Sequence, residues 1–213
     1  MQNNSLWSDA LRRLLANRAA MISAVILILL ILSAIFAPFI ATHSYAYQNL
    51  SLGATAPSAE HFLGTDTLGR DLFSRILYGA RVSLMVGFVA TFVALIIGVT
   101  WGIIAGYYGG RIDSIMMRIV DILYGLPFVI FIILLMVIFG RNIWLLFAAI
   151  GAVEWLTMAR IVRAQVITIK GLEYVQAAQA LGVPNNRLFM KHIFPNILGP
   201  IAVYATLTIP QVM

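Results

Sequence analysis

The sequence predicts an all-α, polytopic membrane protein, and three observations carry that expectation. Hydrophobic residues make up 62% of the 213-residue chain and charged residues only 10%, whereas soluble domains are roughly half apolar and about a quarter charged. The apolar residues are gathered into runs of about 20, the length of a helix that crosses a bilayer. No stretch alternates apolar and polar residues over about ten positions, as the strand of a transmembrane barrel does. There is no cysteine, so neither a disulfide framework nor a Cys-ligated metal is expected. The basic residues behind the net charge of +6 sit at the ends of apolar runs, which fits membrane orientation and not nucleic acid.

Residues 1–19 are a polar N-terminal segment, with Arg12, Arg13 and Arg18 on a short helix. The run over 20–40 is long enough to span, whereas signal-peptide cores are about 7–15 residues, so it reads as an uncleaved first transmembrane helix. Residues 41–81 form a loop with Gly53 and Pro57 that closes on HFLGTDTLGRDLFSRILYGARVSL (61–84). Gly64-Thr65-Asp66 and Leu68-Gly69 have tight-turn chemistry. Leu72, Ile76, Leu77 and Ala80 then share one face and Asp71, Arg75 and Arg81 lie elsewhere, which predicts an interfacial helix leading into the membrane.

The second span covers 82–107. Ala90, Ala94, Gly98, Gly102 and Gly106 recur every four residues along it, a ridge that lets another helix backbone approach closely. A polar connection with Gly109, Gly110, Arg111 and Asp113 precedes the third span, 119–139, which Pro127 should kink. Gly140-Arg141-Asn142 is a tight turn before the fourth span, 143–161, and a fifth apolar run starts at Ile197. From there to Met213 a helix reaches roughly 25 Å at about 1.5 Å per residue, short of a hydrocarbon core of about 30 Å. The fifth span is thus expected to be incomplete and the chain a C-terminally truncated copy of a longer protein.

Between the fourth and fifth runs lies LEYVQAAQALGVPNNRLFMKHIFPN (172–196), the longest clearly amphipathic segment. Tyr174, Ala177, Ala178 and Leu181 fall at i, i+3, i+4, i+7 on one helical face. Gly182 supplies a helix stop, and Pro184 opens a second short helix, where its missing N–H costs nothing. Leu188, Phe189, His192 and Ile193 continue the helical spacing until Pro195-Asn196 breaks it. Arg12, Arg13, Arg18, Arg111, Arg118, Arg160, Arg163, Lys170, Arg187 and Lys191 fall on one side of the predicted topology, against Arg70, Arg75, Arg81 and Arg141 on the other. The richer side is cytoplasmic, which places the N-terminus and the 172–196 loop inside the cell and the 41–81 loop outside.

The chain has no G-x-x-x-x-G-K-[ST] to hold ATP, no H-E-x-x-H and no G-x-S-x-G, and His43, His61 and His192 are far apart in sequence. Asp66-Thr67 continues into Leu68, so no D-T-G triplet is present. An enzyme is not indicated, a membrane-embedded hydrolase included. Glu154 lies near the middle of the fourth span, where a charge costs about 2.5–3.5 kcal/mol on insertion scales. Either it faces a water-filled translocation path, or it is a neutral or hydrogen-bonded Glu at a helix contact, or it reaches toward Arg160. Asp121 and Arg118, at i, i+3, are expected to form a local ion pair.

The 172–196 loop resembles the E-A-A-x3-G-x9-I-x-L-P cytoplasmic loop of permease subunits of bacterial ABC importers. Ala177, Ala178 and Gly182 occupy the A-A-x3-G positions and Pro195 the final proline. Gln176 replaces the first Glu, and His192 and Phe194 stand where the pattern has Ile and Leu. KHIFPN (191–196) looks like the R-H-I-L-P-N variant of the peptide and nickel importers, and LGTDTLGRDLFSRILYGARVSL and MARIVRAQ (158–165) are similar to their C-type subunits, the oligopeptide ones above all.

The resemblance implies a type I ABC importer transmembrane domain, with residues 82–213 as its core, in the bacterial inner membrane. It implies a heterodimer with a second permease subunit, two cytoplasmic ATPase subunits and an extracytoplasmic substrate-binding protein. ATP would be bound by those partner subunits, and no cofactor or metal is assigned to this chain. The coupling element would comprise Glu173, Gln176, Ala177, Ala178, Gly182, Pro184, His192 and Pro195, with Glu173 a substitute for the Glu missing at Gln176. Di- or oligopeptides are the expected cargo. A nickel importer permease is the near alternative, and a proton-coupled secondary transporter using Glu154 the alternative from a different class.

Overall fold

A computed structural model describes residues 12–140 and 142–213. The part of the expected N-terminal helix on residues 1–11, and Arg141 of the expected 140–142 turn, lie outside the described residues. The chain divides into two compact units, one ending at Leu84 and the other covering Met85–Met213. Among the described residues, four helical stretches are long and apolar enough to cross a membrane: Arg18–Ile35, Leu72–Tyr108, Ile143–Lys170 and Asn185–Gln211.

In the first unit, α1 (Arg18–Ile35) is started by Asn17, whose side-chain oxygen accepts from the Ala20 N–H at 3.2 Å. It is apolar all round and buries only Ala34, the signature of a helix whose solvent is lipid. A single turn, α2 (Ala37–Ile40), follows. The loop to α3 (Leu72–Tyr108) is wound tightly by short polar side chains. The buried Thr65 hydroxyl donates to the Gly53 carbonyl at 2.7 Å and accepts from the Thr55 N–H at 2.9 Å. Asp66 accepts from the backbone N–H groups of Leu68 (2.9 Å) and Arg70 (3.0 Å) and from Arg70 Nε (2.7 Å). Gly69 turns the chain at φ +66°, where a Cβ would sit 1.9 Å from the Asn49 carbonyl oxygen, so no other residue fits there.

Asp71 starts α3 by accepting from the Ser74 N–H at 2.8 Å, the contact of an N-cap with the third helical residue. Leu77, on the expected apolar face, is buried together with Ser74 and Asp71, and Ile76 of the same face is exposed. Instead of a separate interfacial helix there is one continuous helix of 37 residues. At about 55 Å it is far longer than a hydrocarbon core of about 30 Å.

In the second unit, α3 lies against α6 (Ile143–Lys170) along the predicted small-residue ridge. A Cβ at Gly98 would lie 2.6 Å from Met158 Cβ, one at Gly102 2.6 Å from the Ala159 carbonyl oxygen, and one at Gly106 2.9 Å from the Arg163 carbonyl oxygen. Gly151 of α6 returns the contact, its absent Cβ pointing 2.6 Å from the Ala90 carbonyl oxygen. Ala90 and Ala94 are fully buried. The fourth span does not end near 161 but continues to Lys170, because Val162, Val166 and Ile169 prolong its buried stripe.

The expected third span is broken in two: α4 (Gly110–Tyr124) and α5 (Phe128–Phe139). Pro127 stands in extended backbone at the start of α5. A proline forces the residue before it out of helical geometry and lacks the N–H needed to continue the ladder. The result here is a break, not a kink. The Trp101 indole N–H donates to the Met116 carbonyl at 3.2 Å and its ring meets Trp155 edge-on at 5.1 Å, joining α3, α4 and α6.

Two predictions follow from these packings. Gly102→Val forces side-chain volume into a backbone contact and should cost about 1–3 kcal/mol, whereas Gly79→Ala, where a Cβ meets nothing within 4 Å, should be neutral or gain up to about 1 kcal/mol; unfolding in detergent compares them. Desolvation raises the Asp66 pKa, but the hydrogen bonds from Arg70 and Leu68 outweigh it and hold the carboxyl below 3.8. A depressed carboxyl stabilises fully above its unfolded pKa and loses that contribution as pH falls through the folded value. Protection from hydrogen exchange over 64–70, taken relative to the unfolded chain at each pH, should therefore be high at neutral pH and fall as pH drops through the lowered Asp66 pKa, and Asp66→Asn should reduce it already at pH 7.

Candidate functional site

The segment between α6 and the last helix folds into α7 (Glu173–Ala180), a glycine turn, α8 (Asn185–Leu188), a five-residue π-helical turn (Phe189–Ile193) and α9 (Phe194–Gln211). The end of α7 is a Schellman cap. The Gly182 N–H donates to the Gln179 carbonyl at 3.0 Å and the Val183 N–H to the Ala178 carbonyl at 3.1 Å, with Gly182 at φ +78°. The left-handed residue is what lets both orphan carbonyls be met. Val183 and Ala178 both pack against the core behind this cap. Pro184 precedes α8 as expected, and its carbonyl accepts from the Arg187 and Leu188 N–H groups at 2.9 Å.

The apolar set expected on one face of α7 is split, Ala178 packing inward and the other three outward. Val175 is the buried residue, inserted among Val166, Ile169, Leu188, Ile193 and Ile197, with Ala178 beside it. Tyr174, Ala177 and Leu181 stay exposed, Leu181 at 85%. The spacing marks a real apolar stripe, but one turned away from the protein. Glu173 and Gln176 are also exposed, and the Gln176 amide donates to the Gly171 carbonyl at 3.3 Å.

Pro195 does not break the helix. The chain runs helically from α8 into α9, and the π-helical turn just before Pro195 accommodates the hydrogen bond its nitrogen cannot make. His192 lies in that turn. Its carbonyl accepts from the Asn196 amide at 2.6 Å, the same amide reaches the Tyr174 hydroxyl at 3.4 Å, and the Tyr174 and His192 rings lie 6.1 Å apart.

Tyr107, near the end of α3, was not singled out by the sequence, yet it is the hub of this end of the unit. Its carbonyl accepts from Lys170 Nζ at 2.5 Å, its hydroxyl donates to the Asn185 carbonyl at 3.2 Å, and its ring meets Phe189 edge-on at 5.5 Å. Lys170 thereby places a cation on an unpaired carbonyl at the negative end of α3. The only available signal was an aromatic pair, Tyr107-Tyr108, at the end of a span. Arg163 forks onto Asp113 with both Nε and a terminal nitrogen. Asp121 pairs with Arg160 at 2.7 Å instead of with Arg118, since helix packing presents a cation from α6 that local spacing does not reveal.

That pairing also decides one of the alternatives for Glu154, because Arg160 is engaged elsewhere. Glu154 instead lines a cavity of about 250 Å³ together with Leu123, Tyr124, Leu126, Thr157 and Gln211. In the first unit, His43 and His61 are brought into ring contact at 4.6 Å despite their separation in sequence.

Helices long and apolar enough to cross a membrane, with an exposed amphipathic helix between two of them, define a multi-span membrane protein. The chain belongs to the family of binding-protein-dependent transport system inner membrane components, whose model matches residues 98–213. Residues 5–57 match the N-terminal TM domain of oligopeptide transport permease C. The chain is 45% identical over 212 residues to the oligopeptide transport system permease protein OppC of Haemophilus influenzae, covering 99% of this chain and 68% of the relative. It is 48% identical over 206 residues to the dipeptide transport system permease protein DppC of Bacillus subtilis, covering 97% and 64%. It is 35% identical over 207 residues to the glutathione transport system permease protein GsiD of Pectobacterium atrosepticum, covering 95% and 68%. The family is one of transport permeases and not of enzymes, and its members are inner-membrane proteins.

Val175 pins α7 to the bundle. Val175→Ala removes about two methylene equivalents of buried surface, roughly 1.6 kcal/mol. Amide exchange over 173–181 should accelerate about tenfold while that of α6 is unchanged.

Proposed function

We propose that this chain is the membrane-spanning permease subunit of an ATP-driven importer of di- or oligopeptides, and that α7 with the Gly182 turn is where it engages a cytoplasmic ATPase subunit. The observation that carries the reading is the exposed stripe of Tyr174, Ala177 and Leu181 on a helix whose opposite side is pegged by Val175. An apolar stripe turned outward from a firmly anchored helix is a surface made for helix-in-groove recognition. The small side chain of Ala177 permits close approach, and Glu173 in the first turn of α7 offers the charge that Gln176 lacks. Pro184 and Pro195 stand at the starts of α8 and α9, both exposed, and His192 is half-buried in the π-helical turn between these two helices.

On this reading ATP is held by two partner ATPase subunits, a second permease completes the path, and an extracytoplasmic binding protein delivers the peptide. The Lys and Arg distribution puts the N-terminus and α7 in the cytoplasm. Peptide cargo is supported by the names of the relatives, which transport oligopeptides, dipeptides and glutathione. Glu154, unpaired with Arg160 and lining a cavity, supplies polar lining to the path.

Uptake of labelled peptide in cells expressing the whole transporter tests the reading. Vanadate should abolish uptake and an uncoupler should leave the initial rate largely intact; the reverse pattern would make it a proton-coupled transporter. Gly182→Asp puts a charge and about 1–2 kcal/mol of left-handed backbone strain at the docking turn without a local clash, since a Cβ there meets nothing within 4 Å. The variant should insert normally and lose most ATPase co-purification. Glu154→Leu should lower uptake at unchanged expression, and wild-type uptake would remove Glu154 from the path.

A further inference from the structure

We propose that His43, Glu60 and His61, on the loop between α2 and α3, form a binding site for a divalent transition-metal ion of the zinc type. Each contributes one ligand atom, and the three atoms lie within 4.8 Å of one another. Hydrogen bonds at Nδ1 orient both imidazoles. Asp71 is a carboxylate and only accepts, so His61 Nδ1, 3.0 Å from it, carries the proton. The Thr42 hydroxyl gives its single hydrogen to the other Asp71 oxygen at 3.4 Å. It can therefore only accept from His43 Nδ1, 3.1 Å away. With Nδ1 of each ring so engaged, Nε2 is the atom left to ligate, as it does in a neutral imidazole bound to metal.

A carboxylate behind a ligating histidine is the outer-shell arrangement that orients metal ligands and raises their basicity. Here one carboxylate serves both rings, the second through Thr42. The backbone is fixed as well: the His43 N–H donates to Ser74 Oγ at 3.1 Å and the His61 N–H to Ser58 Oγ at 3.0 Å. Glu60 is exposed and its side chain is free to close on the ion. Two nitrogens and one carboxylate suit Zn²⁺ and its neighbours and not Mg²⁺ or Ca²⁺, which take oxygen ligands. Water fills the remaining position. Such an ion would clip the segment leaving α2 to the segment entering α3. This inference does not depend on the cargo or on ATPase docking.

The test is calorimetric titration of the chelator-stripped, untagged full chain in nanodiscs with Zn²⁺. One ion per chain is expected to bind, with no heat from Mg²⁺. His43→Ala and Glu60→Gln should each weaken binding roughly tenfold or more, and Thr42→Val, which frees the His43 tautomer, by roughly 10–100-fold. Glu60→Gln alters only an exposed side chain, so it decides the matter if His43→Ala disturbs the loop. The proposal is overturned if Zn²⁺ shows no saturable site, if Glu60→Gln and Thr42→Val both bind like the wild type, or if Mg²⁺ competes equally.

Discussion

The second unit depends on the close approach of two backbones, α3 and α6. Lipid gives helices no hydrophobic reason to associate, so contact area and proximity must do what water does elsewhere. Gly98, Gly102 and Gly106 supply that proximity by meeting Met158, Ala159, Val162, Arg163 and Val166 at distances where no Cβ fits. The register it sets is read out at the end of α6. Arg163 meets Asp113, Arg160 meets Asp121, and Lys170 reaches the Tyr107 carbonyl. The Arg160–Asp121 pair is exposed on both sides, and such pairs contribute at most about 1 kcal/mol. These charges follow from the register; they do not create it.

The ridge was legible because its signal is a simple period, and the same holds for the first, second and fourth spans and for the Gly182 stop, but not for the third span, which Pro127 breaks. Features that depend on a partner element were not. The α7 stripe was correctly assembled from Tyr174, Ala177 and Leu181, but periodicity says which residues share a face and not which face meets protein. Val175, one residue from Tyr174 and about 100° round the helix, took the inward position. Asp121 has a suitable cation one turn away in Arg118, yet its observed partner is Arg160, 39 residues on. Pro195 illustrates a rule that local geometry overrides. A proline ends a helix where its missing N–H is needed, and the π-helical turn before Pro195 accommodates that loss. His43 and His61 carry no sequence signal as a pair, since the loop that joins them has no periodicity. Their meeting is set by Asp71 and the turn glycines.

The proposed coupling role makes a mechanical demand, and the two chain connections of α7 answer it differently. Toward α6, the link is short and fastened: Lys170 is tied to Tyr107, and Arg163 just upstream to Asp113. Toward α9, the chain passes through the Gly182 turn, four residues of α8 and a π-helical turn, a geometry with weaker internal hydrogen bonding than an α-helix. A displacement of α7 by a docked ATPase would thus be resisted at α6 and passed to α9. The far end of α9 contributes Gln211 to the cavity that Glu154 lines from α6. If α6 is held and α9 moves, the two walls of that cavity shift against each other. The docking helix and the half-buried carboxylate would then be linked through α9, whose first turn follows the π-helical turn and whose last residue lines the cavity.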